Sequence, residues 1–119
     1  MRLDRNTSGL VIFAKEPIVQ FWLSRQNIHK EYLALCKNNF KEEEGVVEAP
    51  IARCMDSIIT RCVDNERGKY AKTAYKVLAV YGEKALVKLQ LFTGRTHQIR
   101  VQFASRGFPL VGDGKYGSK

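Results

Sequence analysis

A chain of 119 residues suits one small domain, and 45% apolar with 27% charged residues excludes a chain disordered throughout. Lys and Arg number 20 against 12 acids, a formal charge of +8 that favours a polyanionic partner such as nucleic acid without identifying it. No apolar run approaches the roughly 18 residues of a membrane span and the N-terminus lacks a signal-peptide pattern, so no membrane association and a cytoplasmic location are expected. Cys36, Cys54 and Cys62 have neither a disulfide framework nor Cys-x-x-Cys spacing and read as reduced thiols.

In chain order, residues 9–15 (GLVIFAK) follow a turn-forming Thr7-Ser8-Gly9 and predict a strand. Pro17 fits the first turn of a helix whose apolar face runs through Val19, Phe21, Trp22, Leu23 and Ile28 and is expected to pack on a sheet. Residues 29–37 alternate as a strand, with Tyr32, Ala34 and Cys36 on one side; residues 38–45 break it. Two further strands are expected over 45–54 and 57–63, the first made irregular by Pro50, with a polar turn over 64–69. The clearest hairpin runs 72–81 and 84–92 around Gly82-Glu83. A last helix should begin near Thr96 or His97 and stop at Gly107, ahead of Pro109, with Ile99 and Phe103 stacked and Arg100 on a neighbouring face. The fold class is α+β, a mixed, largely antiparallel sheet with packed helices.

Two clusters carry chemistry. Residues 2–9 (RLDRNTSG) set Asp4 between Arg2 and Arg5, whose charge keeps a carboxylate ionised and fit to act as nucleophile or base. Taken alone, the stretch reads more readily as an Asx-type turn flanked by surface charge. Residues 91–103 (LFTGRTHQIRVQF) crowd Arg95, His97, Gln98 and Arg100 at a strand-to-helix turn, a grouping that suits phosphate neutralisation or carboxylate orientation but equally a capped, exposed helix start.

Together the segments resemble the RluA-type pseudouridine synthases, whose signatures run approximately HRLDxxTSGxxxxAK and TGRTHQIRVHxxxxGxPxxGDxxYG. Here they occupy residues 1–15 and 93–117, with K-E-Y at 30–32 and K-Y-A-K-T-A-Y at 69–75 matching two intervening family segments. The resemblance implies a pseudouridine synthase catalytic fold that isomerises uridine in structured rRNA or tRNA without a cofactor or metal. It implies Asp4 as the catalytic aspartate, Tyr32 as the active-site tyrosine and Arg100 as the basic residue that pairs with the aspartate. The target base would be extruded into the pocket, with Arg2, Arg5, Arg95 and His97 as candidate RNA contacts.

Met1 and Gln102 stand where the family usually has His. The family's domain extends beyond both ends of this chain, so residues 1–119 are expected to form a single, incomplete catalytic domain whose exposed sheet edges invite self-association. The alternatives are a non-catalytic RNA-binding module and an inactive fragment that requires a partner chain. Residues 112–117 satisfy G-x-G-x-x-G by letter, but no helix or distal acid follows. A metal hydrolase is disfavoured because His29 and His97, the only histidines, lie far apart.

Overall fold

The computed structural model describes residues 7–26, 28–55 and 60–117. In chain order these form α1 (Pro17–Ser24), β1 (Lys30–Lys37), β2 (Glu44–Glu48), β3 (Ile51–Arg53), β4 (Arg61–Val63), β5 (Lys72–Tyr81), β6 (Lys84–Leu91) and α2 (Gln98–Ser105). A four-stranded antiparallel sheet has the order β1-β6-β5-β2, and β3 and β4 pair separately as an antiparallel ribbon. None of the described helices is long and apolar enough to cross a membrane.

The β5–β6 hairpin organises the sheet. Tyr81 and Lys84 close a two-residue turn in which Gly82 has a φ of 61°, the conformation that favours glycine at this position. Between Val77 and Ala79 the register shifts, so that Leu78 is the extra residue of a bulge. Alternation then sends Ala85, Val87 and Leu89 inward, each fully buried, while Leu33 and Leu35 of β1 stay exposed on the opposite face. Ala49-Pro50 divides the stretch expected as one strand over 45–54 into β2 and β3, since proline cannot supply a ladder N–H.

α2 lies over the inner face. Phe103, with no exposed surface, meets Phe108 edge-on at 5.2 Å between ring centroids, and Phe108 stacks on Phe40 at 4.1 Å. Gly107, at φ 89°, ends the helix in a Schellman arrangement: its N–H donates to Ala104 and that of Phe108 to Phe103. The helix's other side packs Val101 against Ile51 and Ala71, which ties the β3–β4 ribbon to the domain.

The N-terminal segment departs from expectation. Residues 9–15 form no strand, and α1, although it starts at Pro17, ends at Ser24 before Ile28 and buries none of its residues. A strand exists only through pairing, and among the described residues no strand pairs with this segment; Leu10 is 98% and Phe13 86% exposed.

Phe103→Ala is expected to lower the unfolding free energy by about 3–5 kcal/mol, whereas Leu33→Ala on the uncovered face changes it by less than about 0.5 kcal/mol. Urea unfolding followed by circular dichroism measures both.

Candidate active site

The turn from β6 into α2 is held by a buried polar chain. Lys72 N–H donates to Thr93 Oγ1 (3.0 Å), and that hydroxyl donates to Gln98 Oε1 (2.7 Å), which also accepts Arg95 N–H (3.0 Å). Gln98 Nε2 donates to Lys72 O (3.1 Å) and to Thr73 Oγ1 (2.8 Å). Thr73 passes its own hydrogen to Gln102 Oε1 (2.7 Å), and Gln102 Nε2 bonds Ala49 O and Ala71 O, both at 3.1 Å. Thr73, Gln98 and Gln102 are all buried. Each amide is satisfied at both ends, the condition under which a buried polar group fixes geometry rather than destabilising it.

This anchoring sets His97, at the N-cap of α2, and Arg100, in its first turn. His97 precedes the helix at φ 54° and ψ 28°, a left-handed conformation unusual for a residue with a side chain, and its Nδ1 lies 2.6 Å from the Tyr116 hydroxyl. Arg100 makes a two-pronged contact with Asp113, Nε to Oδ2 and Nη2 to Oδ1, each at 2.9 Å. Its guanidinium also sits 4.9 Å from the centre of the Tyr116 ring. The Arg100 hydrogen bonds hold the Asp113 carboxyl below the usual carboxylate range, against the opposing effect of burial. Burial raises the Tyr116 hydroxyl, which also accepts Arg61 N–H at 3.0 Å.

Between β1, β6 and α2 opens a cavity of about 370 Å³. Leu89, Leu91, Ile99 and Leu110 make its apolar lining, and Thr7, Lys30, Tyr32, Arg95, His97 and Arg100 its polar one. Gly94 also lines it, where a β-carbon would stand 3.2 Å from the Lys30 ammonium. Few polar groups converging on an apolar hollow of this size is the usual form of a small-molecule or nucleotide site.

Tyr32, Arg95, His97 and Arg100, named from sequence, therefore share one cavity. Asp4, Arg2 and Arg5 lie outside the described residues, although Thr7, from the same motif as Asp4, lines the cavity. Asp113 and Tyr116 were not singled out from sequence; the signal was the G-D-x-x-Y-G stretch, which reads locally as a loop. Cys36 and Cys62 are free thiols, and burial pushes the Cys36 thiol up to about 12, which keeps it protonated and inert. Among the described residues no group of three or more His, Cys, Asp or Glu could hold a metal ion.

Comparison with known proteins bears on this geometry. The family profile described as RNA pseudouridylate synthase matches residues 1–105. Ribosomal large subunit pseudouridine synthase D of Nitrosomonas europaea is 44% identical over 98% of this chain and 34% of its own length. The uncharacterized RNA pseudouridine synthase YjbO of Bacillus subtilis is 42% identical, over 98% of this chain and 42% of its own. The solved structure of human RNA Pseudouridylate Synthase Domain Containing 1 superimposes with a TM-score of 0.71 at 32% identity, covering 84% of this chain and 44% of the human one. The chain thus spans less than half the length of these relatives. With a family profile matching most of its length and relatives of that family at about 40% identity, the chain belongs to the RNA pseudouridylate synthase family, in its RluA-type branch.

Proposed function

We propose that this chain carries the catalytic centre of an RNA pseudouridine synthase, with the cavity between β1, β6 and α2 as the place where the uridine is held. The observation that supports it most is that three segments far apart in sequence line that cavity: Thr7 from the Asp4 motif, Lys30 and Tyr32 from β1, and Gly94, Arg95, His97 and Arg100 from the turn into α2.

In this reading the target uridine leaves its stack and enters the cavity. Asp4, unprotonated, stands beside the glycosidic bond, Tyr32 stacks on the uracil, and Arg100 supplies positive charge to the aspartate. The N1–C1′ bond breaks, the uracil turns, and C5 bonds to C1′; the proton leaves C5 while N1 gains one, so the product is an isomer and no cofactor is consumed. Whether the carboxylate adds to the sugar, attacks the base or removes the 2′ proton, the shared requirement is a positioned, ionised carboxylate. Arg2, Arg5, Arg95 and His97 contact the RNA backbone, and the substrate is structured rRNA or tRNA in the cytoplasm. Large-subunit rRNA is the first probe, because the Nitrosomonas relative is named for it.

The test is tritium release from an rRNA transcript labelled at uracil C5. The parent chain should release tritium, and Asp4→Asn should lose at least about 100-fold in rate while keeping the parent's circular dichroism spectrum. No release from a folded parent, with RNA binding retained, favours the binding-module alternative.

The Arg100–Asp113 pair yields a pH dependence. Because the folded chain holds the Asp113 carboxyl below its ordinary value, the pair's stabilisation is complete above the unfolded pKa of about 3.9 and is lost as pH falls through the lowered value. Asp113→Asn is therefore expected to lower stability at pH 7 by about 2 kcal/mol and to flatten the loss below about pH 4. Urea unfolding of both proteins across that range reads it.

A further inference from the structure

A second hollow, of about 440 Å³, adjoins the cavity and shares Gly94 and Arg95 with it. Arg53, Arg61, Arg67, Lys69 and Arg95 line it, and none of its described lining residues is acidic. Charge of one sign is concentrated here by folding rather than by a run in the sequence. Arg53 and Arg61 are directly opposite on the β3–β4 ribbon, a placement of like charges that destabilises a strand pair. Arg61 Nη1 is buried without a hydrogen-bond partner among the described residues, a further cost of drawing this cation into the fold.

Two of the guanidinium groups are already oriented. Arg67 Nε contacts Asp64 Oδ2 at 3.0 Å and its Nη2 reaches Arg53 O at 3.3 Å. Arg95 Nε donates to Tyr70 O at 2.8 Å. These bonds, one of them the Arg67–Asp64 ion pair, fix both guanidinium planes at the edge of the hollow, and a guanidinium's remaining N–H donors suit phosphate oxygens. The like-charge pairing across the ribbon and the basic lining share one remedy, an anion seated in the hollow.

We infer that this hollow binds the phosphodiester backbone of the RNA strand adjoining the nucleotide held in the cavity. The inference rests on the proposed enzyme function and adds to it a backbone site made by the β3–β4 ribbon. Continuity supports this occupant. A nucleotide inserted into the cavity carries its neighbouring phosphates across the rim formed by Gly94 and Arg95, and that rim opens onto the basic hollow.

The test is binding of an in vitro large-subunit rRNA transcript at several salt concentrations. The parent is compared with Arg53→Gln/Lys69→Gln, both exposed positions, and with Lys37→Gln/Lys84→Gln, whose lysines line neither hollow. The first pair should weaken binding at least about 10-fold near 0.1 M salt. It should also reduce the slope of log Kd against log salt by about 1.4–1.8, for two lost phosphate contacts. Arg95→Gln should remove about 0.7–0.9 of slope, and the control pair should match the parent. Unfolding midpoints confirm that the variants fold, and Arg95→Gln keeps the test alive if the double variant does not.

Parental slope and affinity in the folded Arg53/Lys69 variant, or in a folded Arg95→Gln standing in for it, would overturn the inference. So would an equal loss in the control pair, which would mean diffuse charge. Parental RNA binding that depends on the hollow but yields no tritium release defeats the enzyme reading and leaves the backbone site; a parent that binds no RNA defeats both.

Discussion

The architecture depends on the buried hydrogen-bonded chain running from Thr93 through Gln98 and Thr73 to Gln102. It joins the end of β6, the start of β5, the β2–β3 bend and two turns of α2 through side chains that are buried, or at Thr93 half-buried. Such a chain tolerates little displacement, because any broken link strands a buried polar atom. Phe103 and Phe108 supply the apolar adhesion beside it, but that adhesion is non-directional. The amides decide which way α2 faces.

That orientation has consequences at the surface. With Gln98 and Gln102 turned into the sheet, Arg100 turns to Asp113, His97 reaches Tyr116, and Arg95 is left at the rim between the cavity and the basic hollow. A polar anchor thereby arranges a set of charges over an apolar pocket, where electrostatic interactions are stronger than in water. The two adjoining hollows differ in character, one being mainly apolar with a few charges and the other basic.

What could be read from sequence follows how local the determining physics is. The β5–β6 hairpin was legible because two alternating runs meet at Gly82-Glu83, and the end of α2 because Gly107 is suited to its left-handed cap. The grouping of Arg95, His97 and Arg100 was legible from their spacing at a strand-to-helix turn, and the place of Tyr32 beside them only through the ordered family motifs. Residues 9–15 were misread because β-branched composition states a preference and not a pairing. Asp113 was hidden because its partner Arg100 lies across a chain reversal, and the facing of Arg53 and Arg61 because it depends on strand register. Gln102, noted from sequence as a departure from the family's usual His, forms the inner end of the buried chain.

The most direct measurement of the anchor is amide hydrogen exchange in Thr73→Val, which removes the hydroxyl joining Gln98 to Gln102 and keeps the side chain's shape. If the polar chain fixes α2, exchange across Gln98–Ser105 should accelerate at least about 10-fold, a local loss of about 1.4 kcal/mol, while the β1–β6 amides keep their protection. Unchanged protection in α2, or an equal loss throughout the sheet, would contradict the claim that this chain of hydrogen bonds holds the functional face in place.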